Sequence, residues 1–257
     1  MATVNPALHD RVIEGAGTSA DAWRADAALM AVPVIDCLQL VGSAQRVVIV
    51  APHPDDEVLA CGGLLQQLAS LRIPVCIVAV TDGEASHPGS STWTPARLQT
   101  VRPDETMAAL AVLGLDEVPV TRLALPDGGV TAHEATLAAS LRDLAGPGDL
   151  LLTTWRHDGH PDHEATARAC AAAASDCGAM LVEAPIWGWH WSRPGDAAMP
   201  LAHARRLMLD DAALARKRAA LDCFESQLVS DAGSGHDAIL TRNTLERLLN
   251  PFEMYFI

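Results

Sequence analysis

The chain has 257 residues, 49% of them hydrophobic, which suits one large domain or two small ones around a sizeable core. Its formal charge is −14. That balance argues against a nucleic-acid backbone or an anionic membrane surface as the main partner, because both attract positive surface.

Residues 1–45 are mixed. The stretch from Ser19 to Met30 predicts a capped helix with Ser19 or Asp21 as N-cap, and Pro33 to Leu40 a short extended piece. Neither carries chemistry, and the segment is expected to pack as an extension on the main domain. From Arg46 strands and helices alternate. Arg46 to Ala51 is rich in β-branched residues and predicts a buried strand, followed by a helix over 57–71. A strand over 73–81 leads into the polar turn Asp82-Gly-Glu. The Ser/Gly/Pro-rich loop from Ala85 to Pro95, which carries Trp93, is a candidate lid. Thr94 and Pro95 open a helix as N-cap and N1, Pro103 is expected to kink or divide it, and Gly114 closes it. A strand over 120–125 ends in Pro126-Asp127-Gly-Gly. Then come a helix over about 133–145, a strand over 149–154, an alanine-rich helix over 165–175 and a strand over 180–184. Residues 185–200 break the alternation and place Trp187, Trp189 and Trp191 within five positions. A helix is expected over 210–227, and a short strand or packed arm over 251–257. This pattern predicts an α/β fold over 1–257, Rossmann-like, in three αβα layers about a mostly parallel sheet, as a single domain with right-handed crossovers.

Two turns concentrate the chemistry. His53, Asp55 and Asp56 follow the strand at 46–51, and His160, Asp162 and His163 follow the strand at 149–154. Open α/β sheets bind ligands at such strand ends. Together the turns offer two or three imidazoles and two or three carboxylates, the composition of a catalytic zinc site with one open position. His53 and Asp56 are three apart on a turn entering a helix, so both can point at one centre. His160 and His163 share a helix face by the same spacing. Free N–H groups at a helix start favour negative charge beside them. A single His-Pro-Asp reads as a solvated cap; two at one end of one sheet favour a metal. Zinc suits such a site, and a two-histidine, one-carboxylate set also accepts iron or cobalt. Asp162 is either a partner that orients a histidine or a helix N-terminal acid. The Trp187–Trp191 cluster is either a stacking wall for a ligand or core packing. His190 either reaches the site or is structural, as a lone histidine more often is, whereas His87, His133, His203 and His236 receive no role. Arg102 and Glu105 are either an i,i+3 pair that positions a loop or a direct ligand contact.

The stretch "APHPDDEVLACGG", followed about a hundred residues later by "HPDH", resembles the LmbE-like family of N-deacetylases, related to PIG-L. The likeness continues through Asp82-Gly-Glu, Arg102-x-x-Glu105, Pro126-Asp-Gly, Lys217-x-x-Ala-Leu and Ser226-Gln227, and so covers roughly 46–256. It implies the LmbE-like fold and zinc held by His53, Asp56 and His163, with Asp55 as general base. It implies His160 as the group that stabilises the oxyanion or protonates the leaving amine, and Arg102 and Asp127 as contacts to sugar hydroxyls. The implied reaction removes the acetyl group of an N-acetylglucosamine unit in a larger small-molecule conjugate. Some family members have a tyrosine two residues before the histidine at 160; here Asp158 stands there, and an ionised carboxylate cannot donate to an oxyanion.

Two other readings stay open: a deacylase or amidase for a different acyl group, and a non-catalytic carbohydrate-binding member of the fold. A dinucleotide-binding role is disfavoured, because the first strand–helix turn is acidic and lacks G-x-G-x-x-G. The six cysteines, at 37, 61, 76, 170, 177 and 223, form no C-x-x-C pair and read as free thiols. No basic region precedes an apolar stretch at the N-terminus, and no apolar run reaches the ~18 residues that span a bilayer. A soluble cytoplasmic protein is expected, with no nucleic-acid partner and no membrane span; homo-oligomerisation is left open.

Overall fold

Arg46–Ala51 forms a strand buried from Val47 onward, and its side chains divide between two cores. The computed structural model describes residues 11–231, 234, 235 and 237–257; the first ten residues of the expected extension, and His236, lie outside these. Eight strands make one sheet: β1 (Val34–Ile35), β2 (Arg46–Ala51), β3 (Val75–Thr81), β4 (Val120–Leu125), β5 (Asp149–Thr154), β6 (Met180–Ala184), β7 (Ala204–Met208) and β8 (Phe252–Phe256). Their order is β1-β7-β8-β6-β5-β2-β3-β4. Every pairing is parallel except those of β8, which runs antiparallel to β6 and β7. The helices are α1 (Ala20–Arg24), α2 (Ala27–Met30), α3 (Cys37–Val41), α4 (Asp56–Leu71), α5 (Pro95–Val112), α6 (Glu134–Leu144), α7 (Pro161–Cys177), α8 (Gly188–Trp191), α9 (Asp211–Leu221), α10 (Glu225–Leu228) and α11 (Arg242–Leu248).

Alternate residues of a strand face opposite sides of a sheet. Val47 and Ile49 therefore join a core with α4, α5 and α9, while Val48 and Val50 join a second core with α6 and α7. The α/β sandwich and mostly parallel sheet expected from the alternation are what the structure shows. From β2 the chain proceeds to β3 and β4 on one side; β5 and β6 lie on the other. The strand order thus reverses between β2 and β5, and a crevice opens at their C-terminal ends. Both chemical turns leave the sheet there.

Several boundaries differ from expectation for identifiable reasons. The third strand starts at Val75, because Pro74 has no N–H to give the ladder. Helix α7 begins four residues early, since His160 caps it and Pro161 takes the first position. Helix α5 runs through Pro103 unbroken. Proline leaves the carbonyl four residues back without a donor, and Arg122 Nη2 supplies one to Gln99 O at 3.2 Å. The helix expected over 210–227 is two helices, α9 and α10, parted at 222–224. Helix α4 carries a kink at Cys61, whose φ is −143°. There the N–H groups of Gly63 and Leu64, freed by the kink, donate to Glu253 of β8 at 2.7 and 2.8 Å. The segment before residue 46 contributes the edge strand β1, paired with β7.

Candidate metal centre

The turn after β2 is fixed from below. Thr81, at the end of β3, donates through its N–H and Oγ1 to Pro52 O at 3.1 and 2.9 Å. Asp55 then takes φ 123°, a conformation that costs a non-glycine residue about 1–3 kcal/mol. Four contacts hold it there. The Asp55 N–H donates to Glu57 Oε2 at 3.1 Å, and the Asp55 carbonyl accepts from Leu59 at 2.8 Å. Arg102 Nη2 donates to Pro54 O at 2.5 Å and to Asp55 Oδ2 at 3.1 Å. Arg102 Nη1 also donates to Gly83 O at 2.9 Å. Gly83 lies at φ +67°, and a Cβ there would fall 1.8 Å from Arg102 Nη1, so this position requires glycine.

Asp56 is the hub. Its Oδ2 accepts the His53 N–H at 3.0 Å and lies 3.3 Å from His53 Nδ1 and 3.3 Å from His163 Nε2. The outer nitrogen of each imidazole has its own carboxylate. His53 Nε2 sits 3.2 Å from Asp127 Oδ1 and 3.3 Å from Asp162 Oδ2. His163 Nδ1 sits 2.8 Å from Asp158 Oδ2. Carboxylate backing of this kind sets the tautomer and aim of metal-binding histidines. His163 Nε2 is buried and makes no hydrogen bond of its own. An orphan ring nitrogen facing a carboxylate is what a cation would satisfy. Bonds of about 2.0–2.1 Å in a tetrahedron put neighbouring donor atoms about 3.3–3.4 Å apart, which the two Asp56 contacts match. The residues therefore fit a divalent metal. Among the described residues, the groups with all ligand atoms within 4.8 Å of one another are His53, His160 and His163, and His53, Asp127 and Asp162. Asp56 joins the first group through its contacts to His53 and His163.

Electrostatics separate the two adjacent aspartates. Burial works to raise the Asp56 carboxyl, but His163 and His53 outweigh it and hold it far below the usual range. Asp55 is pushed up to about 8 by burial, against the pull of Arg102 and with help from Asp56 and Glu57. Burial also lowers His163, yet Asp56 and Asp158 dominate and raise it to about 9. His160 goes the other way, to about 3, through burial and the neighbouring His163 and His53. Its Nδ1 accepts the Asp162 N–H at 3.2 Å, so its proton sits on Nε2.

These groups line a cavity of about 330 Å³ whose walls include Asp55, Asp127, His160, Trp187 and Leu240. His53, Asp55, Asp56, Arg102, Asp127, His160 and His163 line this cavity, and Asp162 stands behind His53. Asp162 orients: it accepts from Gly128 at 2.7 Å and Val130 at 3.1 Å besides meeting His53. Asp127 faces His53 and accepts the Ala85 N–H at 2.8 Å, anchoring the start of the expected lid loop. Trp93 in that loop is buried, with Arg97 stacked 4.2 Å over its ring. Glu105 accepts from Ser226 N and Oγ at 2.7 and 2.6 Å, next to Gln227 in the cavity wall. The tryptophan cluster divides: Trp187 lines the cavity, Trp189 packs edge-on against Trp23, and Trp191 stacks on Trp155. His190 does not line the cavity; it is tied to Arg247 Nη2 at 2.8 Å and to Glu14 O. The sequence reading took Asp158 only as a lost donor and missed its bond to His163. Fully buried, it also accepts the N–H groups of Ile186, Trp187 and Gly188 at 2.8–2.9 Å. An aspartate that cannot leave solvent without partners, placed two residues before His160 of the motif turn, was the available signal.

Residues 48–174 match the family model described as PIG-L: GlcNAc-PI de-N-acetylase. Over 181 residues the chain is 28% identical to the 1D-myo-inositol 2-acetamido-2-deoxy-alpha-D-glucopyranoside deacetylase of Mycolicibacterium gilvum, covering 60% of this chain and 61% of that protein. Over 137 residues it is 26% identical to a probable N-acetyl-alpha-D-glucosaminyl L-malate deacetylase 2 of Bacillus cereus, covering 51% and 61%. The chain thus spans about three-fifths of the length of these curated relatives. The zinc-inhibited form of the teicoplanin deacetylase Orf2 is similar in fold, with a TM-score of 0.62 at 19% identity over 82% of this chain and 97% of that one.

Proposed function

Since the chain carries a PIG-L, or LmbE-like, domain over residues 48–174, we propose that it is a zinc-dependent hydrolase that removes the acetyl group from an N-acetylglucosamine-type amino sugar within a larger conjugate. The observation that carries this reading is the orphan His163 Nε2 beside Asp56, with both flanking imidazoles backed by carboxylates. His53, Asp56 and His163 would hold the metal. When bound, it polarises the acyl carbonyl and acidifies a water molecule.

The chain's own residues supply the rest. Asp55 Oδ2 is held by Arg102, which leaves Oδ1 to take the proton of the attacking water. Arg102 beside it favours the ionised form of Asp55, the form that can accept that proton. His160, neutral and protonated on Nε2, donates a hydrogen bond to the developing oxyanion or to the departing nitrogen. The amide C–N bond breaks as the nitrogen receives the proton that Asp55 took from the water, directly or relayed through His160, giving acetate and a free amine. Asp127 and Asp162 keep His53 aimed.

The test is acetate release from a panel of N-acetylglucosamine conjugates by the zinc-loaded protein and by Asp55→Asn. The wild type should release acetate, and the variant should lose about 10²–10⁴-fold in turnover while keeping its zinc. Near-normal turnover by Asp55→Asn would sink the base assignment, and no release from any conjugate would sink the reaction.

A further inference from the structure

We propose that the pocket selects conjugates whose non-sugar part is uncharged and apolar, and disfavours those that carry a carboxylate or phosphate there. This inference rests on the deacetylase reading above.

Among the described residues of the cavity wall, Arg102 is the one permanent cation. It is 2% exposed, and its terminal nitrogens are engaged by Asp55, Pro54 O and Gly83 O. Its Nε makes no hydrogen bond but is buried, so a ligand in the cavity meets a guanidinium already engaged by Asp55 and two carbonyls. Carboxylates instead crowd the site: Asp55, Asp56 and Asp127 line it, and Asp162 meets His53 from behind. Even a bound divalent cation leaves the acids to balance it and Arg102, so no net positive field remains for a second anion. The apolar part of the lining is Leu59, Trp187, Ile239 and Leu240. These side chains cannot solvate a charge and gain from covering an apolar one. The main chain at Trp187 is fixed by the bond from its backbone N–H to Asp158 Oδ2 at 2.9 Å.

The experiment uses the full chain loaded with zinc and three probes: the octyl and phenyl glycosides of N-acetylglucosamine, and its L-malate conjugate. We expect kcat/KM at least tenfold higher for the octyl and phenyl probes, carried mainly by KM. Binding of the same probes to zinc-loaded Asp55→Asn, read by calorimetry, should show the same order. Free malate serves as the control for a carboxylate that reaches the metal directly. Equal or better use and binding of the malate conjugate would overturn the proposal. If no probe releases acetate yet the inert variant still binds the apolar glycosides more tightly, the reaction reading fails and the selectivity stands. Leu240→Arg adds a cation to the apolar wall and should narrow the preference at least threefold; an unchanged ratio would also count against the proposal.

Discussion

Asp158 shows how a single substitution relative to a family pattern can change meaning once its surroundings are known. From sequence it is a lost donor. In the structure its carboxylate holds the ring of His163 and three consecutive backbone N–H groups at the turn that presents Trp187. Asp158→Asn keeps the shape but exchanges an acceptor for a donor. Zinc affinity should fall about 10–100-fold, as removal of such partners does elsewhere, and chelator competition would read it. Retained affinity in a folded variant would relegate Asp158 to the turn alone. Arg102 gives a second test at this scale. If it acts through Asp55, Arg102→Lys lowers kcat more than it raises KM, since the fork that grips Pro54 O and Asp55 together is lost. A rise in KM alone would favour direct contact with the sugar. The two turns that carry His53, Asp56 and His163 were legible from their spacing and strand-end placement, whereas the choice of these three as ligands came from the family resemblance. The duty of Arg102 was not legible, because Asp55 lies 47 residues away, nor was the hold of Asp158 on backbone N–H groups 28–30 residues away, although its other partner, His163, is only five residues on.

At the level of elements, the kink of α4 depends on two others, β8 and α9. Glu253 caps the freed N–H groups, and Lys217 Nζ donates to Glu253 Oε1 at 2.7 Å and to Leu59 O at 2.9 Å. Tyr255 adds its hydroxyl to Glu253 Oε2 at 2.8 Å. Removing one partner of a buried pair strands the other charge, at a cost of about 3–5 kcal/mol. Lys217→Met should lose about that much in urea unfolding, and a loss under 1 kcal/mol would show that the pair is not needed. At the other end of the strands, Arg46 Nε and Nη2 grip both oxygens of its register partner Asp149, at 2.9 and 2.5 Å. The Arg46 hydrogen bond holds the Asp149 carboxyl below its ordinary range. A depressed carboxylate contributes stability above its unfolded pKa of about 3.9, lost as pH falls through the folded value. Arg46→Met should therefore flatten the decline in stability below about pH 4 relative to wild type; identical acid limbs would refute this. Strands such as β2 and β5 were legible because they are unbroken apolar runs. β7 was not: Arg205 and Arg206 interrupt its pattern, and its pairing with β8 is set by contacts rather than propensity. Helix α8 spans four residues, too few to show a period.

Across the whole molecule, two cores flank one sheet, and the reactive turns meet where the strand order reverses. The thiols report on that packing. Burial pushes Cys170 up to about 12 and Cys37 to about 11, and raises Cys61 well above its usual value. A thiol reagent at neutral pH should leave these three untouched in the native protein and modify all six cysteines in denaturant. Native labelling of Cys61, mapped by mass spectrometry, would contradict the buried kink. No helix among the described residues is long and apolar enough to cross a membrane. The cap on α4 also has a consequence in time. Gly63 and Glu253 are 190 residues apart. A ribosome adding about 5–20 residues per second needs on the order of 10–40 s to cover that distance. For that interval the helix behind the first histidine motif stands in a nascent chain with its break unsealed. The motif emerges early from the exit tunnel, but its support arrives late, so a stalled or truncated translation product would display the signature residues without the scaffold that makes them a site.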